Sequence, residues 1–227
     1  MALSDNFIGI FDKSQNLGNA CVYQNNWVVR ESKSQATMTQ LDVKAQGQFL
    51  GFEQGLVQGV KDITVRMSSS LEDKDCDGIA FLMDVDSHEH LVFAELKSNF
   101  DVQKITGAFH QIIMSFIKMH AWLSLCGQYD LKNVKVHFVA ACKCPKENRS
   151  EDIMLRISQA QQLGKETFET KFLRPLLKNH YMKVKMSDFG DIKKLPFHET
   201  IKDKEITMYL QLTETPLDSQ TEVSLIP

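Results

Sequence analysis

Three ionisable residues, Asp77, Glu95 and Lys97, lie at the ends of two apolar segments that a polar turn connects. The second segment alternates as a strand does, which directs Glu95 and Lys97 to the face that carries Leu91 and Phe93. Burial of charged side chains is costly unless they are paired or bind a ligand. Two carboxylates beside a lysine can hold a divalent cation and can assist a proton transfer. We therefore treat these three residues as a candidate site.

The turn at residues 84–90 determines which residues of the two segments face each other. It is polar and rich in turn-forming residues, so the sequence predicts a hairpin. A hairpin centred on Asp86 places Asp77 opposite Glu95. Directly opposed residues of a sheet have Cβ atoms about 4.5–5.5 Å apart. We expect the two carboxylates to be close enough to share one divalent cation.

The same turn carries further residues that could ligate a metal, namely Asp84, Asp86, His88, Glu89 and His90. Alternate positions of a hairpin point to opposite sides, so these side chains diverge. Polar residues of this kind are also typical of an exposed turn. The sequence favours a solvated turn over a metal cluster here.

The segment after the hairpin predicts a long helix over 102–125, because its apolar residues recur every three or four positions. Asn99 or Asp101 suits the N-cap of this helix, and Gly127 suits its C-cap. The apolar segment 134–141 then predicts a central strand. A strand that leads through a helix to the next strand indicates a parallel, right-handed crossover.

The segments before the hairpin predict two short strands, 19–23 and 26–30, joined at Gln24-Asn25 as a hairpin appendage, and then a helix over 38–60. Glycine recurs every fourth residue in that helix and would form a smooth ridge along it. Close packing on a sheet or helix, close approach to a phosphate backbone, and a partly looped segment all remain open. These glycines are Gly47, Gly51, Gly55 and Gly59, and a strand over 62–69 follows them.

The C-terminal third predicts a second helical region over 151–178, interrupted near Gly164 or kinked at Pro175. Strands over 181–186 and 205–212 follow, and a polar tail from Thr213 is expected to fray. This order of elements predicts an α/β fold with a mixed central sheet flanked by helices. We divide the chain into a β-rich N-terminal extension, a core, and a C-terminal helix and strands that complete the same domain, at residues 1–36, 37–150 and 151–227.

Composition gives only broad limits. The 227 residues include 43% hydrophobic ones, which suffices for one globular core. The net charge of −3 gives no global argument for nucleic acid, so any basic surface must be local, as at 132–149 and 165–194. The five cysteines are odd in number and scattered, which predicts reduced thiols. No signal peptide or membrane-spanning run is visible, so a cytoplasmic protein is expected.

The acid and glycine at Asp77-Gly78, followed by Glu95-Leu96-Lys97 at the end of the next strand, resemble the motif of the PD-(D/E)xK nuclease superfamily. That group includes restriction, repair and phage-defence nucleases. Cys76 stands where the family has its proline, which contributes no metal ligand. The resemblance covers about residues 38–142 and implies a restriction-endonuclease-like core.

The resemblance implies hydrolysis of phosphodiester bonds with Mg²⁺ or Mn²⁺, on DNA rather than RNA. It implies a role in restriction or phage defence, as a homodimer or as a subunit of a larger defence or repair complex. Asp77, Glu95 and the backbone carbonyl of Leu96 would be the metal ligands, and Lys97 the catalytic lysine. The residues also leave open a nuclease-fold module that binds nucleic acid or protein without catalysis, and a metal-free buried ion network.

Two auxiliary positions follow from the same resemblance. Many family members carry a glutamine on the helix after the motif, and Gln111 would bind the phosphate or fix Lys97. Many also carry a glutamate before the sheet, for which Glu53 is the first choice as a further metal ligand and Glu31 the second. An ordinary exposed glutamine and a solvated glutamate are the alternatives at these positions.

Overall fold

A mixed eight-stranded sheet flanked by helices forms the protein in the computed structural model. The structure describes residues 3–11, 21–31, 33–52, 75–127, 129–145, 147–164 and 167–226. The strands are β1 (Cys21–Arg30), β2 (Gln40–Phe52), β3 (Gly78–Asp84), β4 (Glu89–Lys97), β5 (Lys135–Cys142), β6 (Tyr181–Lys185), β7 (Glu205–Leu212) and β8 (Gln220–Ser224). The helices are α1 (Leu3–Phe11), α2 (Val102–Leu123), α3 (Glu147–Gln162), α4 (Arg174–Asn179), α5 (Gly190–Lys194) and α6 (Glu199–Lys202).

The strand order is β1-β2-β3-β4-β5-β7-β6, with β8 paired beside β2. The β4, β5 and β7 strands are parallel, as are β2 and β8, while the other pairs are antiparallel. The predicted parallel connection from β4 through α2 to β5 is confirmed. It brings the ends of β4 and β5 to one edge of the sheet, where α2 begins.

One face of the sheet packs on α2 and α1. Phe93 of β4, Phe116 of α2 and Phe138 of β5 meet edge to face, with ring centroids 5.7–5.9 Å apart. Phe7 of α1 packs against Phe81 with a centroid distance of 5.3 Å. These buried aromatic side chains each remove a large apolar area from water, and the cluster of Phe93, Phe116 and Phe138 fixes α2 over the centre of the sheet.

The other face is covered by strand residues folded back over the sheet. Trp27 is paired with Val43 in the β1–β2 ladder, yet its indole ring lies over Gly51 and Gly78. This is explained by a bend in both strands, which coincides with a register shift in β1 and with Gly47 of β2, whose φ is +151°. Among the described residues, no helix contributes to this second buried cluster.

The predicted helix over 38–60 is wrong, because residues Gln40–Phe52 form the strand β2. The spacing of the glycines reflects two separate requirements of that strand. A side chain at Gly47 would collide with the backbone of β3, and one at Gly51 would collide with Trp27. Gly55, Gly59 and the predicted strand 62–69 lie outside the described residues.

The prediction of two short strands near the N-terminus is also wrong. Residues Cys21–Arg30 form one strand, in which Asn25 takes a left-handed φ of 60° at the irregularity instead of making a hairpin turn. The helix α1 was not predicted. The tail after Thr213 is not frayed throughout, because β8 pairs in parallel with Gln40 to Lys44 of β2.

The helix α2 is confirmed over Val102–Leu123, with Asp101 as its N-cap acceptor. Its C-cap is Ser124 rather than the predicted Gly127. The second helical region is divided, since α3 ends before Gly164, which has a φ of +64°. A π-helical turn at Glu169–Leu173 leads into α4, where Pro175 stands in the first turn instead of kinking a longer helix.

All five cysteines are free, as the sequence predicted. In the part of the chain that the structure describes, no helix has the length and apolarity needed to cross a membrane.

Candidate active site

The register of the β3–β4 hairpin matches the predicted one. Gly78 pairs with Ala94, and Met83 pairs with Glu89 at the turn end. Asp77 comes directly before Gly78, so the same register places it opposite Glu95. The two acidic residues therefore face each other where the hairpin opens towards the edge of the sheet.

Asp77 and Glu95 are bound to each other's strand through backbone amides. The N–H of Asp77 donates to Oε2 of Glu95 at 3.0 Å, and the N–H of Leu96 donates to Oδ2 of Asp77 at 2.8 Å. Both residues are buried, with 5% of Asp77 and 3% of Glu95 exposed. Each carboxylate is thus held in one orientation with respect to the other.

Lys97 is held between Glu95 and Gln111. Its Nζ donates to Oε1 of Glu95 and to Oε1 of Gln111, each at 2.5 Å. Gln111 is buried on the face of α2 that covers the sheet. Of the two roles that the resemblance offered for this glutamine, the contact shown is the one that fixes Lys97.

The pKa of Glu95 is raised to about 8. Burial is the largest cause, and the neighbouring charge of Asp77 adds to it, while Lys97 and the amide of Asp77 oppose it. The carboxyl group of Glu95 is therefore poorly compensated in its ionised form. A positive charge bound between the two acidic residues would restore that compensation.

The donor set fits a hard divalent cation such as Mg²⁺ or Mn²⁺. Asp77 and Glu95 supply carboxylate oxygens, which Mg²⁺ prefers. Because the N–H of Leu96 points towards Asp77, the carbonyl of Leu96 points to the same side of the strand and adds a neutral oxygen. Glu53, the tentative further ligand, lies outside the described residues.

Two residues of α2 that sequence reasoning missed hold the start of β3. The hydroxyl of Ser115 accepts from the N–H of Cys76 at 2.9 Å, and Lys118 is ion-paired with Asp75 at 2.6 Å. With Gln111 they form a polar stripe on the buried face of α2, at spacings of four and three residues. Three polar residues on an otherwise apolar helix face were the signal that could have found them.

Glu31, the second choice for an auxiliary glutamate, lies where β1 ends. Its carboxylate accepts from both the backbone N–H and the Nζ of Lys33, at 3.0 and 3.1 Å. The side chain of Glu31 is only 8% exposed. The segment that follows Glu31 is connected to the end of β4, because Thr37 is hydrogen-bonded to Ser98.

The turn at the other end of the β3–β4 hairpin is less solvated than predicted. Asp84 is nearly buried and accepts from ring nitrogens of His88 and His90 at 3.1 and 3.0 Å. His90 belongs to β4, is buried, and is hydrogen-bonded to His137 at 2.9 Å. Ligand atoms of Asp84, Asp86 and His88 lie within 4.8 Å of one another, but the last two are exposed, which is also common without a metal.

No family model, no curated protein and no solved structure matches the chain. The resemblance to the PD-(D/E)xK nucleases therefore rests on the motif residues and on the geometry around them.

Proposed function

We propose that the protein is a nuclease that hydrolyses phosphodiester bonds of DNA with the help of Mg²⁺ or Mn²⁺. The proposal includes a restriction-endonuclease-like core. The observation that carries it is the buried pair Asp77 and Glu95, with Lys97 held between Glu95 and Gln111. Such a set of groups is costly to bury unless it binds a cation or acts on a ligand.

Asp77 and Glu95 would hold the cation, together with the carbonyl of Leu96. A bound divalent cation polarises a phosphoryl oxygen and makes a water more acidic at neutral pH. The amides that fix the two carboxylates keep their oxygens in place. The protein thus prepares the cation site before the substrate arrives, which reduces the reorganisation needed during the reaction.

Lys97 would act on the water and on the phosphate. Its ammonium group donates hydrogen bonds that orient the attacking water and stabilise negative charge on the phosphate oxygens. Gln111 keeps this ammonium group beside Glu95. Part of the Lys97 side chain, 22%, is exposed, so a substrate can reach it.

The biological setting rests on the resemblance alone. It supports restriction or phage defence, with cleavage inside DNA by a homodimer or by a nuclease subunit of a larger defence or repair complex. A nuclease-fold module that binds without cleaving is the competing function, and the same assay separates the two.

Cleavage of supercoiled plasmid in Mg²⁺ or Mn²⁺ tests the proposal. The wild-type protein should nick or linearise the plasmid, a chelator should stop it, and Lys97→Ala should abolish it while the variant stays folded. Lys44→Ala is the matched control, because Lys44 is also ion-paired with a glutamate, at 2.5 Å, but lies on β2, in the cavity beside the turn of the β3–β4 hairpin. Cleavage that persists in Lys97→Ala, or an inactive wild-type protein, would reject the proposed mechanism.

A further inference from the structure

The tip of the β1–β2 hairpin, of which the structure describes residues 31 and 33–39, reaches the candidate active site from the second face of the sheet. The bend in β1 and β2 carries the end of β1 across β3. A Cβ atom added at Gly78 would lie 2.8 Å from the Trp27 ring and 2.9 Å from a methyl group of Val29. Val29 therefore packs directly over the residue next to Asp77.

The alternation of side chains along a strand places Glu31 on the same face of the sheet as Val29. Side chains two residues apart share a face, so Glu31 follows Trp27 and Val29 on the side that faces the sheet. Residues that alternate along a strand are separated by about 6–7 Å. Glu31 thus comes one step beyond Gly78, and its nearly buried carboxylate agrees with this position.

A second connection ties the tip to the end of β4. The N–H of Thr37 donates to Oγ of Ser98 at 3.0 Å, and Oγ1 of Thr37 donates to the carbonyl of Ser98 at 3.1 Å. Ser98 directly follows Lys97. The tip is therefore fixed to the end of the strand that carries Glu95 and Lys97, while Val29, just before the tip, packs over Gly78.

Lys33 is the exposed cation of this tip. Its side chain is 74% exposed while its Nζ contacts Glu31 at 3.1 Å. The pKa of Lys33 is raised, first by the hydrogen bond to Glu31 and also by the charges of Glu31, Asp77 and Glu95, against a smaller opposing effect of burial. The electric field of the acidic pair thus extends to Lys33, in keeping with the contacts above.

We propose that Lys33 binds a phosphate of the substrate strand beside the one that is cleaved, so that the hairpin tip forms a wall of the nucleic-acid channel. The identity of the anion rests on the proposed nuclease function. A lysine ammonium is a compact point charge on a flexible stem, which suits a phosphate contact that does not read sequence. The ammonium group of Lys33 offsets part of the repulsion that Glu31, Asp77 and Glu95 would exert on a polyanion.

Binding without cleavage tests the role of Lys33. The affinity of a short fluorescent DNA duplex is measured by anisotropy in EDTA, between about 50 and 200 mM salt. Lys33→Ala should weaken binding at every salt concentration and reduce the slope of log K against log salt by about 0.9, the value for one phosphate contact. Lys33→Arg should keep most of the slope, and the control Lys44→Ala should leave it unchanged.

The outcomes separate this inference from the proposed function. An unchanged slope and affinity in Lys33→Ala would overturn the inference, even if the wild-type protein cleaves DNA. Binding that depends on Lys33 in a protein that never cleaves would overturn the nuclease function and keep only the contact between Lys33 and a DNA phosphate. A wild-type protein that does not bind DNA overturns the inference as well.

A purely structural role of Lys33 is tested with Glu31→Gln. If Lys33 only compensates the nearly buried carboxylate of Glu31, Glu31→Gln makes that compensation unnecessary, and adding Lys33→Ala should then have no effect on the salt slope. If Lys33 contacts phosphate, the double variant should still lose about 0.9 of the slope relative to Glu31→Gln. Circular dichroism confirms that each variant is folded.

Discussion

The backbone N–H of Asp77 donates to the carboxylate of Glu95 at 3.0 Å, so the first acid of the site positions the second. The side chain of Asp77 in turn accepts from the amide that follows Glu95. Neutral backbone amides therefore hold the two acidic side chains together, against the repulsion between their negative charges. This arrangement makes the ionised state of Glu95 unfavourable, and in the proposed function a bound cation would compensate it.

The raised pKa of Glu95, about 8, predicts proton release on cation binding. At pH 7 most of this carboxyl group is protonated, and a cation requires the carboxylate, so about one proton should leave for each ion bound. The release should fall towards zero as the pH rises through 8, and the apparent affinity should rise over the same range. Calorimetry in two buffers with different ionisation enthalpies measures the release, and equal heats at pH 7 would contradict it.

Gln111→Ala should lower cleavage without loss of folding. The variant removes the acceptor that holds Lys97 at 2.5 Å, so the ammonium group is less well oriented. Loss of a residue that orients a functional group typically costs about 10- to 100-fold. Single-turnover rates on plasmid DNA would show this, and a rate equal to that of the wild-type protein would mean that Glu95 alone positions the lysine.

Lys118→Met should destabilise the protein through Asp75. Their ion pair, at 2.6 Å, is nearly buried on both sides, so the variant leaves an uncompensated buried carboxylate. Such a loss costs about 3–5 kcal/mol, whereas exposed pairs contribute about 0–1 kcal/mol. Urea unfolding should show this difference between Lys118→Met and the control Lys183→Ala, whose pair with Glu205 is exposed. Equal losses in both variants would contradict the prediction.

The β3–β4 hairpin could be predicted because its information is local. The alternation of apolar residues and the turn at Asp84 to His90 specify the register without any contact from distant parts of the chain. The strand conformation of residues Gln40–Phe52 could not be predicted in this way. Gly51 is required by a Trp27 side chain 24 residues earlier in the chain, and neither a propensity nor a spacing reports such a contact.

The polar stripe of α2 and the strand β8 show the same limit. Ser115 and Lys118 become interpretable only once α2 is placed over Cys76 and Asp75. The sequence of β8, Gln220–Ser224, is mostly polar, and it is a strand because β2 offers it a parallel partner. In both cases the missing information is which elements meet, not which elements form.

Acid should unfold the protein through the buried pair His90 and His137. A consistent set of donors has Tyr209 donating to His137, His137 to His90, and His90 to Asp84, with both rings neutral. A proton added at Nδ1 of His90 would meet the donor Nε2–H of His137, and one added at Nδ1 of His137 would force the Tyr209 hydroxyl to turn from donor to acceptor. Burial, with smaller contributions from His90 and Lys135, lowers the pKa of His137 to about 3.

The sign of this effect follows from linkage. A histidine whose pKa is lower in the folded state contributes stability above its unfolded pKa of about 6.5, and that stability is lost as the pH falls towards 3. The loss from His137 should be about 1.4 kcal/mol for each pH unit below 6.5. Urea unfolding between about pH 4.5 and 7 covers part of this window. The free energy of unfolding should depend less on pH in His137→Gln than in the wild-type protein. An equal pH dependence of the unfolding free energy in the variant and the wild type would contradict the assignment of this effect to His137.

Binding of Mn²⁺ to the apo protein, measured by calorimetry at about pH 8, where Glu95 is half ionised, tests the shared cation site most directly. The wild-type protein should bind one ion at this site, and Asp77→Asn should weaken that binding by more than about 100-fold, since even residues that only orient a ligand cost about 10- to 100-fold. Lys44→Ala should bind as the wild type does. Unchanged binding in Asp77→Asn would show that Asp77 and Glu95 do not share a cation.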